Sequence, residues 1–129
     1  MSGVLIDTSV WIDHFRNGNA TLGQLLSDDS AFTHPMVIGE LACGTPPAPR
    51  TRTLSDLSLL PTIRDAGLRE TIAFIERESV YGVGCGLIDM VLLTSTLITP
   101  GIKLWTLDKR LAALAQRFGV EYGRRITAR

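Results

Sequence analysis

Cysteine is nearly missing from this 129-residue chain, and the two present, Cys43 and Cys85, lie far apart with no CxxC spacing. They have too few companions for a zinc site and read as two small buried thiols. Net charge is missing as well. Thirteen basic residues balance thirteen acidic ones, so global charge does not announce a nucleic-acid partner. Apolar residues make up 45% of the chain and the mean hydropathy is +0.20, yet no apolar run approaches the ~20 residues of a membrane span. No basic segment leads into a long apolar one at the N-terminus, which reads as no secretory signal and a cytoplasmic protein. Internal repeats and low-complexity tails are also missing. The one Pro-rich stretch, Thr45-Pro46-Pro47-Ala48-Pro49, reads as a loop between helices. The expectation is one domain over residues 1–129, long enough to bury roughly two-thirds of its unfolded surface.

What the chain does have is a set of acids in apolar surroundings. Asp7 ends the run Val4-Leu5-Ile6. Glu40 lies in Val37-Ile38-Gly39-Glu40-Leu41, Asp89 in Leu87-Ile88-Asp89-Met90-Val91, and Asp108 follows Leu104-Trp105-Thr106-Leu107. Carboxylates are seldom buried unless something neutralises them. No Lys or Arg recurs beside the first three, which makes a metal ion the economical partner.

Gly3-Val4-Leu5-Ile6 is a short continuous apolar run, as in a parallel strand buried on both faces. Thr8 or Ser9 then caps a helix running through Arg16, and Gly18-Asn19 ends it. A second helix fits Ala20 to Leu26, and a short strand Ala31-Phe32-Thr33. Pro35 suits the first turn of a helix that runs to Cys43 and stops at Gly44. Further helices are predicted from Arg52 to Leu60, Gly67 to Val80, Leu87 to Ile98 and Asp108 to Phe118. Lys103 to Thr106 reads as another buried strand, and Val120-Glu121-Tyr122 as a last edge strand. The alternation predicts an α/β fold with a parallel sheet flanked by helices. In such sheets the functional crevice lies beyond the carboxyl ends of the strands, where Asp7 and Asp108 both fall.

Each acid also has a bland reading. Asp7 and Asp108 suit helix caps, Asp7 less so because Thr8 and Ser9 offer the same service. Asp89 lies in the first turn of its helix, where the dipole favours an acid. Yet it shares the apolar face of Leu92, Leu93 and Thr96, and Glu40 shares the stripe of Val37, Leu41 and Gly44. Carboxylates gathered at one crevice would repel one another unless cations filled it. Oxygen-only ligands suit Mg²⁺ or Mn²⁺, and such ions serve phosphodiester hydrolysis. The hydroxyls of Ser9 and Thr106 are placed to orient those ligands.

With these residues in order, the chain resembles the PIN domain, and within it the VapC-like toxin ribonucleases of type II toxin–antitoxin systems. The matching pieces are Ile6-Asp7-Thr8-Ser9-Val10-Trp11-Ile12, Val37-Ile38-Gly39-Glu40-Leu41 with Gly44, Gly86-Leu87-Ile88-Asp89 with Leu92-Leu93, and Leu104 to Leu111. The resemblance implies a three-layer α/β/α sandwich with a central parallel sheet and an endoribonuclease dependent on Mg²⁺ or Mn²⁺. It assigns metal binding and catalysis to Asp7, Glu40, Asp89 and Asp108, with Ser9 and Thr106 in support. It also implies a homodimer and a small VapB-like antitoxin that covers the site. Lack of the family's Ala-rich run after Asp89 bears on helix packing, not on chemistry.

Val10, Trp11, Ile12 and Phe15 are too many large apolar residues for one core-facing stripe. Either they pack on the second helix (Leu22, Leu25, Leu26) or they leave an apolar groove suited to an amphipathic partner helix, which makes Trp11 and Phe15 candidate antitoxin contacts. Arg50, Arg52 and Arg110 are candidate RNA contacts, as is the Arg124-Arg125 end with Arg129; the bland reading of these charges is a solvated surface. His14 and His34 read as surface or capping histidines. The run Gly82-Val83-Gly84-Cys85-Gly86 lacks full GxGxxG spacing and follows no strand, so it reads as a flexible lead-in to the Asp89 helix. A response-regulator receiver would want an acidic pair after the first strand, whereas Thr8 follows Asp7. The alternative to a nuclease is a catalytically silent PIN-like module that binds RNA or protein.

Overall fold

A computed structural model describes residues 2–123; Arg124, Arg125 and Arg129 lie outside the described residues. Those residues form three strands, β1 (Gly3–Ile6), β2 (Ala31–Phe32) and β3 (Ile102–Trp105), in one parallel sheet of order β2-β1-β3. Seven helices accompany them: α1 (Thr8–Asn17), α2 (Ala20–Ser27), α3 (Pro35–Cys43), α4 (Arg50–Leu57), α5 (Leu68–Glu78), α6 (Leu87–Leu97) and α7 (Lys109–Arg117). All four residues of β1 are buried, so helices cover both faces of the central strand, which is why it reads as an unbroken apolar run. This is an α/β fold with a helix-flanked parallel sheet, as the alternation of patterns predicts.

The core is a cluster centred on Leu5, Ile6, Val37, Leu92, Leu93, Leu104 and Leu111. Fully burying side chains of this size stabilises the fold by roughly 1.5–3 kcal/mol each. Gly3 lets β2 close onto β1: a Cβ there would lie 2.2 Å from the Phe32 ring. α6 is almost wholly enclosed, every residue from Met90 to Thr96 being buried. Its two threonines turn their hydroxyls onto the helix's own carbonyls, Thr94 to Met90 and Thr96 to Leu92, both at 2.7 Å, which satisfies them without a polar neighbour.

Three local expectations shift. The helix expected from Arg52 begins at Arg50, because the Arg50 guanidinium donates to the carbonyls of Ala42 and Gly44 and pulls the turn forward. It ends at Leu57, where Ser58 donates back to Leu54 O. The expected edge strand at Val120–Tyr122 is a single parallel bridge between Leu104 and Glu121. The strand expected through Thr33 stops at Phe32, and Thr33 bridges to Thr62 instead.

His34 is the capping histidine of α3. Its Nδ1 accepts the Met36 N–H at 3.0 Å, so the proton sits on Nε2, which donates to Asp65 Oδ1 at 2.8 Å. Burial pushes the His34 pKa below its ordinary value, opposed by the Asp65 charge and hydrogen bond, so the ring is neutral in the fold. His14 accepts the Asn19 N–H at the end of α1.

Candidate active site

The register between β1 and β3 determines the site. Ile6 stands opposite Trp105, and the next rung, Asp7 N–H to Trp105 O at 2.9 Å, sets Asp7 beside Thr106. Beyond the rung both chains turn into helices, α1 after Asp7 and α7 after Asp108. Residues a hundred positions apart thus meet because two parallel strands end together.

Asp7 is buried, and its Oδ2 accepts three hydrogen bonds: from Ser9 Oγ at 2.6 Å, Thr106 Oγ1 at 2.8 Å and Ser9 N at 3.3 Å. The direction of the hydroxyl bonds is fixed by backbone donors behind them. Leu107 N–H donates to Ser9 Oγ at 2.9 Å and Asp108 N–H to Thr106 Oγ1 at 3.0 Å, leaving each hydroxyl proton for Asp7. Asp7 itself, not Thr8 or Ser9, is therefore the N-cap of α1. The strand ends at Ile6, so Thr8 is already helical and too late to cap.

The other acids are each held by one oxygen. Glu40 Oε1 accepts from Thr8 Oγ1 at 2.5 Å across 32 residues, which makes Thr8 a site residue that sequence reasoning assigned only to capping. Asp108 caps α7, its Oδ1 accepting from Arg110 N and Leu111 N. Asp89 Oδ2 accepts from Gly86 N at 3.3 Å. The second oxygen of all four carboxylates has no hydrogen bond to the described residues. Asp7 Oδ1 is not sealed in either, being absent from the buried atoms that lack a partner.

Electrostatics brings the four together. Burial raises the Asp89 pKa first; the Gly86 N–H opposes it, and the charges of Asp7, Asp108 and Glu40, in that order, raise it further. Asp89 thus feels the other three at once. The neighbouring Cys85 thiol is pushed up by burial and by Asp89 and Asp108, with Arg110 opposing, so it is an inert thiol at the rim. Among the described residues, no three His, Cys, Asp or Glu side chains stand close enough to enclose an ion as placed. The acids share a crevice without converging on a point. In chemistry the donor set fits a hard divalent cation: four carboxylates, each with an uncommitted oxygen, and one of them, Asp89, resisting ionisation through its burial and the charges of the other three.

Of the arginines predicted to contact RNA, Arg50 is engaged by the α3 carbonyls and Arg52 pairs with Asp56 at 3.8 Å. Arg110 is exposed one turn from Asp108. Trp11 is in the core at 3% exposure, its Nε1 without a hydrogen-bond partner among the described residues, so it presents no face to a partner helix. Phe15 packs on it at 5.9 Å between ring centroids and, with the exposed Ile12, lines a groove of ≈ 200 Å³ that reaches Glu40.

This end-of-sheet crevice, with carboxylates following β1 and β3 and on α3 and α6, is the arrangement of a PIN-like domain. The PIN domain family model matches residues 4–117, and the chain belongs to the PIN domain family. Its sequence is similar to that of Ribonuclease VapC32 of Mycobacterium tuberculosis, from the strains CDC 1551 / Oshkosh and ATCC 25618 / H37Rv. In each case 41% of 117 residues are identical, spanning 91% of this chain and 94% of the relative.

Proposed function

We propose that this chain is a metal-dependent endoribonuclease that hydrolyses RNA phosphodiester bonds as the toxin of a toxin–antitoxin pair, acting as one cytoplasmic domain. The observation that carries the reading is the set of four carboxylates around Asp89 in a chain 41% identical to a protein named a ribonuclease. Asp7, Glu40, Asp89 and Asp108 would hold Mg²⁺ or Mn²⁺, which when bound supplies the charge that polarises a phosphoryl oxygen and activates water. The chain's own part is to aim the ligands. Ser9 and Thr106 lock Asp7, Thr8 holds Glu40, and the first turn of α7 holds Asp108, which leaves one oxygen of each pointing free of the protein's own bonds.

A VapB-like antitoxin helix is the proposed occupant of the apolar groove at Ile12 and Phe15, where it would shield Glu40. Exposed Leu68 and Ile72 on α5 give a homodimer an apolar surface to bury. No helix among the described residues is long and apolar enough to cross a membrane. The second reading, a PIN-like module that binds RNA or protein without cutting, has one observation in its favour: the carboxylates do not converge.

The test is cleavage of a mixed RNA substrate with Mg²⁺, with Mn²⁺ and with EDTA, by wild type and by Asp7→Asn, alongside calorimetric titration of Mn²⁺. Metal-dependent cutting that vanishes in the variant is the expected result. Neither cutting nor metal binding would replace the nuclease with the binding module.

A further inference from the structure

Two arginines stand near different acids of the carboxylate crevice, Arg16 near Glu40 and Arg110 near Asp108. Arg16, in the last turn of α1, lines the groove that also holds Phe15, Leu41 and Glu40, so one end of the groove is a site carboxylate and its wall carries a cation. Arg110 stands beside Asp108, its N–H donating to Asp108 Oδ1. Its charge acts on Cys85 together with those of Asp89 and Asp108. The guanidinium lies against the backbone of Gly84, Nη1 donating to Gly84 O at 3.4 Å. Gly84 has φ +89°, and a Cβ there would come within 2.7 Å of Arg110 Cδ and 2.9 Å of Nη1. Only glycine gives both that backbone conformation and that seat. The glycine-rich lead-in to α6 is thus a rest for an arginine.

Neither arginine has an ion-pair partner among the described residues. The ion pairs among the described residues are His34–Asp65, Arg52–Asp56 and Arg77–Glu78. Two unpaired guanidiniums beside an acidic crevice suit a polyanion that must pass over those acids: each cation takes a phosphate that the carboxylates alone would repel. The apolar groove between Arg16 and Glu40 then faces whatever is attached to that phosphate. A slot of ≈ 200 Å³ with the Phe15 ring in its wall has room for one unstacked base and not for a duplex.

From this geometry we infer that Arg16 and Arg110 bracket a single-stranded RNA segment, each holding a phosphate flanking the one at the carboxylates, with the adjoining base against Phe15 beside Glu40. The inference rests on the nuclease reading and gives that site its substrate form and path.

The test measures binding apart from cleavage. In an Asp7→Asn background, fluorescence anisotropy with a labelled mixed-sequence single-stranded RNA is recorded across a salt range for Arg16→Gln, Arg110→Gln and the pair, and for Phe15→Leu. Arg77→Gln, beside the far end of α7 where Arg117 meets Glu78 O, serves as control. Each crevice arginine should weaken binding several-fold and lower the slope of log affinity against log salt by about 0.7, and the pair by about twice that. Phe15→Leu should weaken binding about ten-fold with the slope unchanged, and should leave binding of a blunt RNA duplex untouched, because stacking is not a counterion effect. A slope unchanged by Arg16→Gln or Arg110→Gln overturns the bracket, and for Arg16 it leaves the groove to a protein partner alone. Unchanged slopes in a protein whose wild type cleaves remove the bracket and keep the nuclease. Lowered slopes in a protein that never cleaves keep the bracket and remove the nuclease.

Discussion

Asp7 and Asp89 face the same crevice from opposite kinds of support. Asp7 stands at the seam of two parallel strands, where one oxygen takes two hydroxyl protons and a backbone N–H. Asp89 stands at the start of a buried helix with one long backbone hydrogen bond and three carboxylates pressing on it. The first acid is positioned by hydrogen bonds the protein supplies. The second keeps an unmet need for positive charge. The proposed metal site would need both, a rigid anchor and a ligand whose ionisation the cation rewards, and in that reading the two parts fall to different acids.

The sharpest way to break that assignment is to neutralise each in turn. Asp7→Asn should reduce cleavage by more than the ~10–100-fold expected for losing a supporting partner. Its thermal midpoint should change little, since the amide oxygen can still cap α1. Asp89→Asn should also abolish cleavage, but with the opposite effect on the metal-free fold. Because the folded pKa of Asp89 is raised, the folded state holds its proton more tightly. Metal-free stability therefore falls as pH rises from the unfolded value of 3.8 through the folded one, and the deficit is complete above it. Asparagine removes that deficit. At neutral pH without metal, Asp89→Asn should melt a few degrees above wild type, and Mn²⁺ should raise the wild-type midpoint more than the variant's. A calorimetric scan in EDTA in which Asp89→Asn melts below wild type would reverse the comparison.

Thr106→Val tests the anchor itself. It keeps the shape and removes the hydroxyl that serves Asp7 and receives Asp108 N–H, so two acids lose their aim together. Cleavage should drop about 10–100-fold, and stability by about 1 kcal/mol. A kcat within two-fold of wild type, measured at saturating Mn²⁺, would mean the seam is only structural.

Much of this was legible beforehand, for physical reasons. Continuous apolar runs marked β1 and β3, and parallel strands ending in helices put Asp7 and Asp108 at one end of the sheet. The stripe shared with Leu92, Leu93 and Thr96, all buried in the structure, turned Asp89 inward. What was not legible depended on register and on partners distant in sequence. Thr8 and Ser9 look alike as caps. One reaches Glu40 on α3 and the other the Leu107 N–H after β3, contacts that no local pattern encodes. Trp11 and Phe15 look equally apolar, and only the packing of α1 buries the first and leaves the second beside a groove. Arg110 was a candidate RNA contact, but its seat on Gly84 was not legible, because it depends on how far α7 lies from the loop before α6.

Thr8 supplies the smallest and most discriminating test. Its hydroxyl is the one side-chain hydrogen bond to Glu40 among the described residues, and unlike the Asp7 seam it has no second support behind it. Thr8→Val leaves Glu40 in place, half-buried and free to swing, so the effect should be a loss of aim, not of a ligand. Cleavage should fall roughly ten-fold, at the lower edge for a supporting partner, with fold stability nearly unchanged because the bond is only partly buried. Thr8→Ser keeps the hydroxyl without the methyl and should hold most of the rate, whereas Thr8→Val keeps the γ-branch packing and loses only the hydroxyl. Recovery by serine, read as single-turnover rates at saturating Mn²⁺, separates aiming from packing. Loss in serine with the rate kept in valine would show that the threonine matters for its methyl, and that Glu40 needs no guide.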